Sequence, residues 1–193
     1  MQPFKKIKSI ATPLDKVNVD TDQIVPKQFL KLIQRTGFGQ YLFYDWRFEK
    51  GTPKKDFVLN DPVYKESKIL LARDNFGCGS SREHAVWALD DYGFKVIIST
   101  SFADIFYNNC FKNGVLPIQV SDEVLKQLFS TKSEIEVNLE SQSIMVDNVP
   151  ISFHIEPHWK KILLEGLDDI AVTLLHENEI VTYERSHTFD LKH

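Results

Sequence analysis

The residues most able to do chemistry stand together at positions 75–84, in the run Asn-Phe-Gly-Cys-Gly-Ser-Ser-Arg-Glu-His. An apolar run at 69–72 precedes this segment and a helical pattern at 85–89 follows it, an order typical of a strand, a glycine loop and a helix. The first N–H groups of a helix and its positive dipole end favour an anion. Together with two hydroxyls and a guanidinium, they predict a site for a carboxylate or a phosphate.

Local spacing predicts how this helix begins. Ser80 and Glu83 are three residues apart, which is the spacing of a capping box, so we expect the helix to begin near Ser80. Gly77 and Gly79 allow a tight turn and a close approach of the backbone to a ligand. A capped helix after a turn would need one hydroxyl, but not a second hydroxyl followed by Arg82. The segment also lacks the spacing of a phosphate-binding loop or a dinucleotide fingerprint.

The elements that must position this loop alternate between strand and helix over residues 68–129. This alternation predicts a parallel β-α-β core, in which ligands bind beyond the carboxyl ends of the strands. The predicted strands are 68–72, 95–100 and 115–120, and the predicted helices are 81–92, 103–112 and 121–129. Outside the core we expect a strand at 7–11, a loop at 20–26, a helix at 26–36, a surface excursion at 47–62, a β-meander at 134–139, 143–146 and 151–154, and helices at 157–165 and near 168–177.

Composition excludes several classes of protein. The chain has 193 residues, of which 42% are hydrophobic and 26% charged, as expected for one globular domain. Its net charge of -4 argues against a nucleic acid or an anionic membrane as partner. No apolar run approaches the roughly 20 residues that span a bilayer, and residues 1–11 lack the apolar segment of a signal peptide. We therefore expect a cytoplasmic protein without a membrane or nucleic-acid partner.

The chain has two cysteines, Cys78 and Cys110, which are not at the spacing of a metal site. A [4Fe–4S] cluster normally takes several cysteine thiolates, so we expect this chain to hold no such cluster alone. Cys78 lies in the glycine loop, where it is either a nucleophile or ligand, or a small residue that a tight turn accepts. We favour the second interpretation, and we expect Cys110 to be a buried hydrophobe. The six histidines show no zinc pattern, and His84 is the one that could position its neighbours in the motif.

Three parts of the sequence carry a resemblance to a known family. The segment at 75–84 closely resembles the active-site segment of the swivelling domain in the aconitase superfamily. The run Val-Asp-Thr-Asp-Gln-Ile-Val-Pro at 19–26 resembles the amino-terminal motif of that domain. The runs at 35–39 and 43–47, and those at 101–106 and 113–117, are similar to bacterial small subunits of 3-isopropylmalate dehydratase. The resemblance covers essentially the whole chain.

This resemblance implies a fold class and a domain organisation. The implied fold is α/β, a swivelling β/β/α domain of the aconitase type with a parallel β-α-β core, an added β-meander and a carboxyl-terminal helix. We expect residues 1–193 to form one such domain. Within it, residues 1–46 hold the amino-terminal motif and an aromatic segment, residues 68–129 the core, and residues 134–177 the meander and terminal helices.

The resemblance also implies a function. The enzyme would have two chains, with a [4Fe–4S] cluster in a large subunit that acts as Lewis acid on the substrate hydroxyl, and with this chain as its small subunit. The substrate would be a hydroxy-dicarboxylate, and the reaction the interconversion of 2-isopropylmalate and 3-isopropylmalate by dehydration and rehydration in leucine synthesis. Two alternatives remain open, a related hydro-lyase acting on homoaconitate or a methyl-substituted malate, and a non-catalytic interaction module. The serine–arginine pair argues against a pure module.

The family's catalytic residues fall on matching positions of this sequence. Ser80 corresponds to the base, and it needs nearby N–H donors and positive charge to ionise. Arg82 supplies that charge and could hold a substrate carboxylate with two hydrogen bonds. Asp22 matches the motif aspartate, which we expect near the serine and able to orient it.

Other residues complete the expected substrate site. We expect Ser81 and the backbone of Gly79 to contact substrate oxygens. Lys27 or Arg35 could reach a second carboxylate, although neither falls on a family motif position that we can match. The aromatic density at 38–48 has two interpretations, packing of one segment or part of a partner interface, because aromatic residues and arginine are enriched at interfaces.

Overall fold

A computed structural model describes residues 1–31 and 36–186. Its strands are β1 (Lys6–Ser9), β2 (Ala11–Leu14), β3 (Phe48–Glu49), β4 (Thr52–Pro53), β5 (Ile69–Ala72), β6 (Val96–Ser99), β7 (Leu116–Gln119), β8 (Ile135–Asn138), β9 (Ser143–Val146) and β10 (Val149–Ser152). Its α-helices are α1 (Thr21–Ile24), α2 (Tyr44–Arg47), α3 (Glu83–Tyr92), α4 (Asp104–Lys112), α5 (Asp122–Ser130), α6 (Pro157–Glu165), α7 (Asp169–Leu174) and α8 (Glu177–Ser186). Short 3-10 helices lie at Lys27–Phe29, Gly39–Tyr41, Val58–Asn60 and Pro62–Tyr64.

Two four-stranded sheets carry the fold. The first is parallel with the order β2-β5-β6-β7, and the second is antiparallel with the order β1-β8-β9-β10. In the parallel sheet Ile69 pairs with Val96, and Val96 pairs with Leu116. Helices α3 and α4 connect β5 to β6 and β6 to β7, so the predicted parallel β-α-β core is confirmed.

The parallel sheet is buried on both faces, which explains its continuous apolar strands. All four residues of β5 are buried, and they alternate between the two faces. Leu70 and Ala72 pack in one core with α3 and the aromatic segment. Ile69 and Leu71 pack in a second core with the antiparallel sheet, α5 and α6. The resulting layers are an antiparallel sheet, a parallel sheet and helices, as expected for a β/β/α domain.

The aromatic segment at 38–48 belongs to the first of these cores. Phe38 and Phe43 are fully buried, and Trp46 stacks on Phe43 with ring centroids 5.5 Å apart. The Arg47 guanidinium lies over the rings of Phe48 and Tyr92. Packing of one segment therefore accounts for the aromatic density at 38–48, and a partner interface is not needed to explain it.

The amino-terminal third differs most from the sequence-based expectations. The single strand predicted at 7–11 is wrong, because the chain changes sheets at Ile10 and forms β1 in one sheet and β2 in the other. The loop predicted at 20–26 contains the one-turn helix α1. The helix predicted at 26–36 is wrong in its described part, where a 3-10 turn at Lys27–Phe29 follows the extended Pro26. Residues 32–35 of that prediction lie outside the described part of the chain.

The carboxyl-terminal half follows the predicted pattern more closely. Helix α6 has the predicted bounds, and the meander forms as β8, β9 and β10. Its third strand begins at Val149, two residues before the predicted start. Asp147 and Asn148 both have positive φ, of 48° and 63°, which makes a two-residue hairpin turn between β9 and β10. The one helix expected near 168–177 is replaced by α7 and α8.

The predicted surface excursion at 47–62 contains the hairpin β3–β4 and the 3-10 helix Val58–Asn60. Leu59 is nevertheless buried and joins the first core, so this segment covers the domain rather than extending from it. Across residues 1–31 and 36–186, none of the helices has the length and apolarity needed to cross a bilayer.

Candidate functional site

The loop between β5 and α3 lies at the carboxyl end of the parallel sheet, where three loops meet. Its backbone is fixed to the loop after β2 by hydrogen bonds from Gly77 N to the Val19 carbonyl at 2.7 Å and from Thr21 N to the Cys78 carbonyl at 2.9 Å. Phe76 N donates to the carbonyl of Ser101, in the loop after β6, at 3.1 Å. The segments that carry the family motifs are therefore joined backbone to backbone.

Two glycines allow this close approach. Gly77 has φ +77°, and a Cβ there would lie 2.1 Å from Cγ of Phe106, so the loop packs directly on α4. Gly79 has φ +94°, and a Cβ there would lie 3.3 Å from the Thr21 hydroxyl of α1. A side chain at either position would combine backbone strain with a steric conflict.

The predicted capping box between Ser80 and Glu83 is wrong. Helix α3 begins at Glu83, and its N-cap residue Arg82 is extended (φ -108°, ψ 116°) and provides no side-chain cap. The Ser80 carbonyl instead accepts hydrogen bonds from Arg82 N at 2.8 Å and from the Thr21 hydroxyl at 3.1 Å, which keeps Ser80 in the loop before the helix.

The two serine hydroxyls are consequently not used as helix caps. Ser80 and Ser81 are both exposed, and neither hydroxyl makes a hydrogen bond with another described residue. Both remain open to a bound molecule.

A capping box does form in the amino-terminal motif. Gln23 N donates to Asp20 Oδ1 at 2.7 Å, and Asp20 N donates to Gln23 Oε1 at 3.0 Å. This box starts α1, which carries Thr21 and Asp22 toward the glycine loop.

Asp22 reaches the site through Arg82. Its Oδ1 accepts a short hydrogen bond from Arg82 Nη1, and Lys27 Nζ lies 3.4 Å from its Oδ2. Burial raises the pKa of Asp22, but the hydrogen bonds and charges of Arg82 and Lys27 outweigh it and leave the pKa below its ordinary value. No hydrogen bond joins Asp22 to Ser80 among the described residues. Of the two cations considered for a second carboxylate, Lys27 pairs with Asp22, and Arg35 lies outside the described residues.

A cavity of about 230 Å³ opens beside the loop. Gly79, Ser80 and Arg82 line it on one side together with Thr21, whereas Ala103, Asp104, Ile105, Phe106 and Asn109 of the β6–α4 segment line the other side. The motif residue Ser81 is in the same loop but not in the lining. The sequence analysis did not predict Thr21 as a site residue, although Thr21 stands between the motif aspartates Asp20 and Asp22. It also did not predict that α4 contributes a wall of the cavity.

A larger cavity of about 660 Å³ lies at the opposite, amino end of the sheet. Its lining includes Lys5, Lys68 and Lys95, of which the last two directly precede β5 and β6. The smaller cavity is the candidate functional site, because the serine and the arginine of the motif line it.

The surroundings of the two cysteines favour the less reactive interpretation. Burial and the charge of Asp20 raise the pKa of Cys78, so its thiol is neutral at pH 7. Cys110 is fully buried in the first core, and burial raises its pKa well above the ordinary value. Within the described ranges, no three His, Cys, Asp or Glu side chains form a group that could hold a metal ion. These residues do not fit the ligand set of a [4Fe–4S] cluster.

The His84 ring packs against aromatic neighbours. Its ring lies 4.6 Å from the ring of Trp87 and 5.3 Å from that of Phe38, measured between centroids. Burial lowers the pKa of His84, and the positive charge of Arg82 lowers it further, so the imidazole is neutral at pH 7. His84 therefore supports the start of α3 from the core side. His187 and His193 lie outside the described residues.

Comparison with known proteins identifies the family. Residues 1–123 match the family model of the aconitase C-terminal domain. The chain is 55% identical to the 3-isopropylmalate dehydratase small subunit of Brevibacillus brevis, over 95% of this chain and 98% of that one. It is 54% identical to the Bacillus subtilis small subunit, over 95% and 96% of the two chains. The chain belongs to this family of small subunits.

A solved structure agrees with that membership. The crystal structure of 3-isopropylmalate dehydratase from Methanocaldococcus jannaschii is 27% identical and superposes with a TM-score of 0.67, over 93% of this chain and 99% of that one. The family, the aconitase-type α/β fold and the assignment to a hydro-lyase of leucine biosynthesis, all expected from the motifs, are thereby confirmed.

Proposed function

We propose that this chain forms one half of the active site of a cytoplasmic enzyme that interconverts 2-isopropylmalate and 3-isopropylmalate, with Ser80 as the base and Arg82 as the carboxylate-binding group. The observation that supports this most is the cavity at the carboxyl end of the sheet, which Gly79, Ser80 and Arg82 line together. In this proposal residues 1–193 act as one swivelling domain, because β1 and β2 tie the amino-terminal segment to both sheets.

In dehydration, Ser80 takes a proton from one substrate carbon while the C–O bond on the adjacent carbon breaks and its hydroxyl leaves, to be accepted by the Lewis acid that the large subunit would supply. In rehydration, Ser80 gives the proton to the carbon that lost the hydroxyl, and a hydroxyl adds to the carbon that lost the proton. A serine hydroxyl is a weak acid in water, so the site must stabilise its ionised form. Ser80 is exposed and its hydroxyl is not held by another described residue. The loop backbone, the start of α3 and Arg82 supply N–H donors and positive charge around it.

Arg82 holds a substrate carboxylate. Its Nη1 is bonded to Asp22, which fixes the guanidinium plane, and Lys27 shares the same carboxylate. These three side chains carry two positive charges and one negative charge, so this side of the cavity is net positive, whereas Asp104 makes the opposite wall negative. The Arg82 guanidinium retains further N–H donors, which can form two parallel hydrogen bonds to the two oxygens of one substrate carboxylate. Asp22 thus acts as a positioning residue for Arg82.

Gly79 and Ser81 provide further contacts in this proposal. The positive φ of Gly79 brings the loop backbone to the cavity wall without a side chain to fill it. The exposed Ser81 hydroxyl follows directly and can donate to a second substrate oxygen.

We infer that the other half of the site comes from a large subunit, as the words "small subunit" in the relatives' names imply for them. A [4Fe–4S] cluster in that subunit would supply Lewis-acid chemistry at the substrate hydroxyl. The two cysteines of this chain, one buried and one with a raised pKa, do not provide its ligands.

Co-expression with an iron–sulfur large subunit tests this function. We expect the purified chain alone to be colourless and inactive, and the purified pair to interconvert the two isopropylmalates. A brown chain that carries iron without a second polypeptide would contradict the two-subunit assignment. Competition between isopropylmalate, homoaconitate and a methyl-substituted malate for the pair would reveal a related hydro-lyase instead.

A further inference from the structure

The wall of the cavity that faces Ser80 and Arg82 is mixed, because Asp104 and Asn109 lie in it beside three apolar residues. Ala103, Ile105 and Phe106 contribute to this wall. Phe106 is buried beneath Gly77, whereas Ile105 is 54% exposed. Ile105 is therefore accessible from the cavity, and contact of its side chain with an alkyl group would remove apolar surface from water.

The geometry of α4 explains why Ile105 faces the cavity. Phe106, Cys110 and Phe111 form the buried face of this helix. Ile105 and Asn109 are four residues apart, so they share a different face, and both line the cavity. The helix thus presents one apolar side chain and one amide opposite the serine–arginine loop.

Charge fixes which end of a substrate this wall can accept. Asp104 begins α4 and also lines the cavity, so it repels a carboxylate from the wall. Arg82 attracts a carboxylate on the other side. A hydroxy-dicarboxylate with an alkyl branch can therefore place its carboxylate at Arg82 and its branch along Ile105.

We propose that Ile105 contacts the alkyl branch of the substrate and sets the preference of the enzyme for an isopropyl group over a smaller one. This inference rests on the proposed function and adds to it the residue that selects the side chain. One methylene in an apolar pocket changes specificity by about 10- to 200-fold, so a half-exposed wall should contribute near the lower end.

The test uses the assembled two-subunit enzyme and two substrates, 3-isopropylmalate and 3-methylmalate. We expect Ile105→Ala to lower kcat/KM for the isopropyl substrate by about 10-fold and for the methyl substrate by less than about threefold, and Ile105→Val to give an intermediate ratio. Ile170→Ala, the same change at an isoleucine that is 72% exposed on α7, serves as the control and should leave the ratio unchanged.

Each other result contradicts the inference. An unchanged ratio of the two kcat/KM values would show that the branch lies elsewhere. An equal loss for both substrates, with weaker subunit association in sedimentation, would assign Ile105 to the subunit contact. A wild-type pair that is inactive on isopropylmalate but active on another hydroxy acid would instead contradict the proposed function.

Discussion

Two segments of this chain have the residue spacing of a capping box, but the box forms in only one of them. Asp20 and Gln23 form a capping box that begins α1, with both reciprocal hydrogen bonds present. Ser80 and Glu83 have the same spacing, but no box forms and α3 begins without a side-chain cap. The segment with the box supports the site, and the segment without it exposes the hydroxyl that the proposed chemistry requires.

A long-range contact accompanies this difference. The Ser80 carbonyl accepts from the Thr21 hydroxyl, 59 positions away in the chain, and from Arg82 N, while the extended Arg82 occupies the N-cap position of α3. Thr21 is itself held by the capping box at Asp20. The first segment thus holds the second in a conformation that its local sequence does not favour, as expected where a functional site overrides local preference.

The largest expected effect tests this contrast directly. Ser80→Ala removes the proposed base, whose contribution is about 10²–10⁴-fold, so kcat of the assembled enzyme should fall by that factor while KM changes little. Because Ser80 is exposed and caps no helix, the free energy of unfolding should stay within about 0.5 kcal/mol of wild type. Steady-state kinetics and denaturant unfolding measure the two quantities.

Asp20→Ala is the matched control for Ser80→Ala. It removes a cap that is present, so it should lower the unfolding free energy by about 1 kcal/mol. If Ser80→Ala destabilised the domain as much as Asp20→Ala and left turnover near wild type, Ser80 would be a structural residue and the base would lie elsewhere.

Arg82→Lys should have the next largest effect. Lysine keeps the charge but loses the planar fork that can bind Asp22 and a carboxylate together, so KM should rise and kcat fall. Hydrogen bonds to charged groups are worth about 1.5–3 kcal/mol, which predicts a loss in kcat/KM of about 10- to 100-fold. Arg73→Lys is the control, since Arg73 pairs with Asp15 at 2.6 Å at the same end of the sheet but outside the cavity lining. Equal effects of the two substitutions would remove Arg82 from the substrate site.

Asp22→Asn should have a smaller effect that depends on pH. Since the folded-state pKa of Asp22 is lowered, its ion pair is present above the ordinary carboxyl pKa and is lost as pH falls through the folded value. Exposed pairs contribute up to about 1 kcal/mol, so kcat/KM at neutral pH should fall by up to about fivefold, mainly through KM. We expect the KM of the wild type to rise at acid pH, where Asp22 becomes protonated, and we expect this rise to be absent from the variant. Asp15→Asn supplies the control, and a variant with the wild-type KM at all pH values would contradict the positioning role.

Local pattern predicted the elements that obey it and missed the features that depend on distant contacts. The apolar runs of β5, β6 and β7 and the helices between them have strong periodicity, and the bounds of all five elements were predicted to within two residues. The change of sheet at Ile10 could not be read locally, because it depends on pairing with β8 on one side and β5 on the other.

Some parts of the candidate site were predictable from local sequence, and others depend on distant contacts. The serine–arginine loop was visible as a motif, and its cavity brings Gly79, Ser80 and Arg82 together. The pairing of Asp22 with Arg82 and the wall at Ile105 result from the packing of α1 and α4 against that loop. Neither wall nor pairing has a signature in the spacing of the sequence.

The smallest expected effect concerns the residue that connects the two segments. The backbone of Cys78 contacts the segment that contains the Asp20–Gln23 capping box. Its carbonyl accepts from Thr21 N, and Cys78 forms an isolated parallel β-bridge with Asp20. Its thiol has a raised pKa and is therefore a poor nucleophile and metal ligand. Cys78→Ala keeps the backbone contact and removes only the thiol, so the assembled enzyme should retain its iron content and its kcat/KM within about threefold. Iron analysis and steady-state kinetics test this.

Gly79→Ala is the informative contrast at the next position, because a Cβ there meets the Thr21 hydroxyl in a backbone conformation that side chains disfavour. Severe loss of turnover in Cys78→Ala with an intact fold would assign chemistry to the thiol. Loss in Gly79→Ala alone would assign the effect to the backbone that holds the two segments together.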